Sequence, residues 1–167
     1  MPFDPHAYGP EVAAILALAG NGSRPMALAE PVCISADARA RIAAARIPET
    51  LRAGLYLYFG CWNEAHEASQ NIQTREGSYW HAIVHRQEPD AGNAGYWFGQ
   101  VRTHPIFEDL SAAAGEPWNP RTFIQQCERA RGAEDVQRAK ELQLLEWQLL
   151  FDYCASQAHA RVNEFSR

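Results

Sequence analysis

Two histidines four positions apart are the residues of this sequence best placed to do chemistry. His81 and His85 fall on one side of a predicted helix from Ser78 to Gln87, and apolar side chains fall on the other. Rings at this spacing are neighbours, which is how a helix offers two nitrogen atoms to one metal ion. The pattern therefore predicts a metal site, although it lacks the embedded Glu of the H-E-x-x-H signature.

A metal ion held by this pair needs further ligands. The usual catalytic zinc site takes three protein ligands and leaves one position open. Four side chains nearby in the sequence can provide them: Glu88, Asp90, His66 and His104. Glu88 comes directly after the helix, and we predict that a divalent transition metal is held by His81, His85 and Glu88.

The same stretch can also work without a metal. Histidines titrate near neutrality, and carboxylates beside them perform acid and base catalysis when burial or pairing separates the pKa values. The predicted catalytic residues are therefore His81, His85, Glu88 and Asp90. Around them we expect polar and ionisable contacts, paired donors for an anionic group and a flat aromatic wall. These binding positions are His66, Trp80, Arg86, Asn93, Tyr96, Trp97, Arg102, His104 and Glu146.

Each of these residues also has a purely structural interpretation. A histidine pair at this spacing can be a solvated ridge, or can tie helices together through Glu67 or Asp90. Arg86 can be a surface ion pair, Asp90 a helix cap and Trp97 a core residue. The density of ionisable groups favours a site, because four of the six histidines lie between positions 64 and 104.

The elements that position these residues are predicted to be helices. Ser35, Thr74 and Asp90 are suitable N-caps, and Pro89 disfavours helix continuation. The apolar run 55–59 fits either a helix or a buried strand, and its neighbours favour helix. The sequence thus predicts an all-α domain of six to seven helices over residues 36–46, 48–59, 63–72, 78–87, 91–101, 119–131 and 134–159.

The last predicted helix is long, apolar on most sides and central to the expected core. Glu141, Gln148 and Asp152 mark its narrow polar face. Glu146 lies well away from that face, among apolar side chains. A carboxylate in such a position must be paired, protonated or directed into a cavity.

The segment from Glu76 to Asp90, followed by Asn93-Ala94, Tyr96-Trp97 and His104-Pro105, resembles a specific motif of an uncharacterised family of small bacterial proteins. Written as a pattern, the motif is EGSYWHAIxHRxEPDxxNAxYW…HP. The resemblance extends over roughly residues 48 to 155. It implies that this stretch forms one unit, and it implies no particular substrate.

Composition narrows the classes of partner. The 167 residues fit one domain, which we divide into an N-terminal arm, 1–34, packed on a helical body, 35–167. A net charge of −5 with interspersed charges disfavours nucleic acid, and the longest early apolar run is too short for a membrane span. Without a basic leader, the expected location is the cytoplasm. We expect a monomer or homodimer.

The four cysteines are widely spaced and contain no C-x-x-C pair, which argues against a zinc ribbon or a redox motif. The simplest interpretation is four reduced, mostly buried thiols, and spacing alone cannot select a disulfide. Nucleophile and nucleotide-binding signatures such as G-x-S-x-G and G-x-x-x-x-G-K-[ST] do not occur.

Two hypotheses follow for function. The first is a helical protein whose pocket binds a small polar or anionic molecule and acts on it by acid-base or metal-assisted chemistry. The second is a non-enzymatic interaction module, in which the same side chains form a buried polar network that fixes the register of the helices.

Overall fold

The architecture is built from helices alone. The computed structural model describes the backbone of residues 2–165 and the side chains of residues 2–163. No strand occurs within that range, so the prediction of an all-α fold is confirmed. The helices are α1 (Pro10–Leu16), α2 (Ala36–Ala44), α3 (Glu49–Tyr58), α4 (Trp62–Gln70), α5 (Arg75–Gln87), α6 (Ala91–Val101), α7 (Phe107–Ala114), α8 (Pro120–Arg129) and α9 (Gly132–Phe165).

Helix α9 runs through the core, as its apolar pattern predicts. Trp147 and Phe151 are fully buried, and the Trp147 indole donates a hydrogen bond of 2.8 Å to the Gly54 carbonyl on α3. A β-carbon at Gly54 would lie only 2.9 Å from both Phe151 and Trp80. Glycine is therefore required where α3 and α9 make their closest contact.

Most predicted helix boundaries lie close to those of the structure. Ser35, Thr74, Asp90 and Asn119 each accept a backbone hydrogen bond as an N-cap, and residues 55–58 are helical rather than a strand. The sequence analysis missed α7 and the short α1. With eight and seven residues respectively, both are too brief to show a clear period.

The N-terminal arm packs along α5 and α9 through side-chain amides. Gln87 and Gln143 both donate to the Ala27 carbonyl, at 3.1 and 3.0 Å, and Gln148 donates to the Gly22 carbonyl at 2.8 Å. The backbone amide of Glu30 also donates to the Gln87 carbonyl at 2.7 Å. These contacts satisfy the backbone of a segment with little regular structure.

A disulfide joins the end of the arm to the start of α4. Cys33 and Cys61, which lie 28 positions apart, are bonded, so the prediction of four reduced thiols is wrong. Cys127 and Cys154 are free, and only Cys154 of these two is buried. The correction could not come from spacing, because the pairing depends on how the arm folds back over the Gly60 turn.

No helix in the described range combines the length and the apolar character that a membrane crossing requires.

Opening the disulfide is expected to destabilise the protein by about 3 to 4 kcal/mol, because a closed loop of this length restricts the unfolded chain. Guanidinium unfolding of the wild type with and without reductant, compared with Cys33→Ala, measures the effect. The variant should match the reduced wild type and show no response to reductant. A wild type that is equally stable in both conditions would contradict the cross-link.

Candidate metal centre

Helix α5 is the element that positions the candidate site. Thr74 caps it by accepting a 3.2 Å hydrogen bond from the Gly77 amide, and Glu88 follows its last turn. Every side chain from 79 to 87 is buried, although four of these residues are His81, His85, Arg86 and Gln87. A helix buried on all sides must find partners for its polar groups.

Three histidines converge on one side of α5. His81 and His85 approach through their Nε2 atoms, which are 3.1 Å apart, and His66 on α4 meets both rings edge-on. One nitrogen atom from each of the three rings lies within 4.8 Å of the others. Helices α4 and α5 thus bring His66 to two histidines that lie 15 and 19 positions later in the sequence.

Two indole rings flank this cluster. Trp62 stacks on His66 with ring centres 5.1 Å apart, and Trp97 of α6 lies against His81 at 4.2 Å. The Trp62 indole donates to the Val84 carbonyl at 2.9 Å, which fixes α4 against α5. The aromatic pair restricts the rotamers of two imidazoles, as preorganisation of a ligand set requires.

Glu88 orients His85 rather than joining the three rings. Its Oε2 atom lies 2.7 Å from His85 Nδ1, a normal hydrogen-bond distance. With Nδ1 donating to the carboxylate, the lone pair of His85 is on Nε2 and is directed at His81. A carboxylate behind a metal-binding imidazole is the usual outer-shell arrangement.

The protonation states suit metal binding. Burial and the neighbouring rings of His85 and His66 lower the pKa of His81 to about 4. Burial, followed by the His85 ring, also lowers the pKa of His66. Both imidazoles are therefore neutral near pH 7, and a neutral ring retains the lone pair that coordinates a metal.

The distances between ligand atoms differ between the His81–His85 pair and the His85–Glu88 pair. In a tetrahedral zinc site, with bonds of about 2.0 to 2.1 Å, neighbouring nitrogen ligands lie about 3.3 Å apart. The 3.1 Å between His81 and His85 is near that value, whereas the 2.7 Å between His85 and Glu88 is a hydrogen bond. His66, His81 and His85 thus form one candidate ligand set, and His85, Glu88 and Asp90 form another.

Asp90 serves as a helix cap. Its carboxylate accepts from the Asn93 backbone amide at 3.0 Å and from the Asn93 side chain at 2.8 Å. Both residues lie just past Glu88, at the edge of the histidine cluster, and Asp90 can be grouped with His85 and Glu88. Tyr96 is exposed beside Trp97, with ring centres 5.2 Å apart.

Two of the predicted binding residues instead form a buried ion pair on another side of α5. Arg86 Nη2 lies 2.6 Å from Glu146 Oε2, and Tyr79 donates to the other Glu146 oxygen at 2.9 Å. Burial, together with the Glu146 carboxylate, raises the pKa of Tyr79 well above its ordinary value, so the phenol remains a donor. Glu146 is paired, which is one of the three outcomes its position predicts.

Three further predicted binding residues lie apart from the histidine cluster. Trp80 is fully buried and packs beside Gly54 in the core. Arg102 is an exposed residue that ends α6 with a positive φ of 61°. His104 is buried against Tyr79 and Tyr153, with Nε2 3.6 Å from Glu76. Helical spacing alone could not place these side chains, because tertiary packing decides which turn each one contacts.

Sequence reasoning missed two residues that shape this region. Trp62 precedes His66 by four positions, and that helical spacing was an available signal for their stacking. Glu76, in the first turn of α5, contacts His104, which lies in the turn between α6 and α7. No pattern in the sequence indicates that pairing.

Comparison with models of known protein families, with curated proteins and with solved structures gives no match to this chain. The function is therefore inferred from the geometry of the histidine cluster and its surroundings.

Glu146→Gln is expected to lower the free energy of unfolding by about 3 to 5 kcal/mol, because the charge of Arg86 stays buried without its partner. Urea titration measures the change. Glu141→Gln, on an exposed turn of the same helix, should alter stability by less than about 0.5 kcal/mol. Equal effects of the two substitutions would show that the buried pair does not stabilise the fold.

Stability should also fall in acid through Glu76. Its pKa is lowered to about 2, chiefly by the facing His104 ring, from 4.5 in the unfolded chain. A lowered carboxyl pKa stabilises the fold fully above pH 4.5, and that contribution is lost as the pH falls towards 2. Urea midpoints between pH 5 and pH 2.5 should decline less steeply in Glu76→Gln than in the wild type. Glu67→Gln, at an exposed position of α4, should follow the wild-type slope.

Proposed function

We propose that this protein binds one divalent transition metal ion through His66, His81 and His85. The observation that carries the proposal is the convergence of three imidazole nitrogens within 4.8 Å, with His85 held by Glu88 from behind. Three histidines form the ligand set of a catalytic zinc site and leave a position for water. Neutral nitrogen ligands preserve the positive charge of the ion, which favours ionisation of that water.

The chemistry we propose is hydrolysis of a small polar or anionic molecule by the metal-bound water. A metal in such a site polarises a carbonyl or phosphoryl oxygen and supplies hydroxide near neutral pH. In this role Glu88 positions His85, and its hydrogen bond to Nδ1 leaves Nε2 free to bind the metal. Asp90 acts through the backbone, since it fixes the start of α6 and with it Trp97.

The surroundings support access for a small molecule. His66 is only half-buried, and Tyr96 is exposed next to Trp97. The Tyr96 and Trp97 rings lie edge to face at 85°, while Trp80 is excluded by its position in the core. We propose that Tyr96 and Trp97 contact the apolar part of the substrate.

A structural polar network is the second candidate, and one observation favours it. The Nε2 atoms of His81 and His85 form a hydrogen bond at 3.1 Å, and Glu88 completes the chain, so the cluster can close with a shared proton instead of a metal. In that case His85→Ala should cost about 1 to 3 kcal/mol by leaving its partners unsatisfied, with or without a chelator.

The metal is tested by dialysing the purified protein against chelator, adding Zn²⁺ or Co²⁺, and measuring stoichiometry by elemental analysis and affinity by titration. We expect one equivalent per chain. His66→Gln and His81→Gln should each lose stoichiometric binding, because two imidazoles alone are a weak site. Glu88→Gln should weaken binding about 10- to 100-fold. His6→Gln, at an exposed position far away in sequence, is the matched control.

Hydrolysis is then assayed with p-nitrophenyl carboxylic and phosphoric esters. Activity that chelator removes, Zn²⁺ restores and His66→Gln abolishes would support the proposed reaction. Metal binding equal in the wild type and in His66→Gln would contradict the three-histidine centre. If the protein binds no metal and His85→Ala only lowers the free energy of unfolding, the structural network is favoured.

A further inference from the structure

A recess lies beside the end of α5, and none of the three histidines lines it. It has a volume of about 490 Å³ and is enclosed by the arm, the last turn of α5, the end of α8 and the start of α9. Its walls include residues 27–29 and Val136, which are mostly apolar, and Pro89, which follows Glu88 directly. The proposed hydrolytic centre does not use any of these residues.

Positive charge is concentrated in this recess. Arg86, Arg131 and Lys140 line it, and Glu128 is the one acidic residue of the lining. Lys140 is the only lysine in the whole sequence. The chain as a whole has a net charge of −5. The three cations around this recess therefore form a local positive patch, which attracts anions.

The innermost cation has unused donors. Arg86 is 2% exposed and its guanidinium lies over the Phe123 ring at 4.6 Å. Nη2 bonds Glu146 and Gln143, at 2.6 and 3.3 Å, whereas Nε and Nη1 are buried without a partner in the described part of the chain. Buried guanidinium donors left unmatched are costly, and an anion is the partner that matches them best.

We propose that this recess binds a small oxyanion, a phosphate or carboxylate that bears a short apolar group. Arg131 and Lys140 would meet the anion at the entrance, and Arg86 would form the floor. The charge of Arg86 is partly balanced by Glu146, so the two outer cations decide whether the anion binds. The apolar wall formed by the arm and Val136 fits the attached group rather than a second charge.

The single lysine makes a direct measurement feasible. Reductive methylation with ¹³C-formaldehyde keeps the charge of Lys140 and gives one side-chain signal, which Lys140→Gln distinguishes from that of the terminal amine. The labelled protein is titrated with inorganic phosphate, phenyl phosphate, acetate and benzoate at constant ionic strength. We expect a saturable shift of the Lys140 signal, with phenyl phosphate or benzoate binding more tightly than the unsubstituted anion.

Variants test the assignment to the recess. Arg131→Gln should weaken binding at least about tenfold, since one charge-assisted contact is lost. Arg138→Gln removes an exposed cation from α9, the helix that carries Lys140, and should leave the affinity for the anion unchanged. Iodoacetamide labelling of Cys127, which also lines the recess, should be slowed by the bound anion. A shift that chloride reproduces, or equal losses in the two arginine variants, would overturn the proposal.

The failure of this site is distinguishable from failure of the metal centre. Metal binding depends on His66, which lies outside the recess, and the Lys140 signal is measured without metal. A tighter response to phenyl phosphate identifies a phosphate ester as the source of the oxyanion, and a tighter response to benzoate identifies a carboxylate.

Discussion

The ion pair between Arg86 and Glu146 is the contact on which the arrangement of the other helices depends. It joins α5 to α9 through two buried side chains, and Tyr79 donates to the other oxygen of the carboxylate. Such a pair tolerates little displacement, because separating two buried charges costs several kcal/mol. The rotation of α5 about its own axis is therefore fixed, and this fixes the direction in which His81 and His85 point.

Much of the fold could be predicted because local signals agree with the tertiary structure. Ser35, Thr74 and Asp90 are N-caps that mark the starts of their helices. Glu146 lies among the apolar residues of its helix, and pairing is one of the three outcomes that this position predicts. The partner itself could not be predicted. Arg86 has the sequence context of an exposed helical residue, and only the packing of α5 on all sides places it in the core.

The candidate site was predictable in part for a related reason. A spacing of four brings His81 and His85 together on any helix, but His66 joins them only because α4 packs antiparallel to α5 after a short turn. The sequence places Glu88 beside this pair but does not reveal which imidazole nitrogen it faces, and the structure places it 2.7 Å from His85 Nδ1.

The stacking of indoles on the histidines has one more consequence. Two of the five tryptophans, Trp62 and Trp97, lie against His66 and His81, at ring separations of 5.1 and 4.2 Å. A protonated imidazole or an open-shell metal ion at such range quenches the fluorescence of an indole. The molecule thus carries a built-in optical reporter, whose emission records the occupancy of the cluster without any added label.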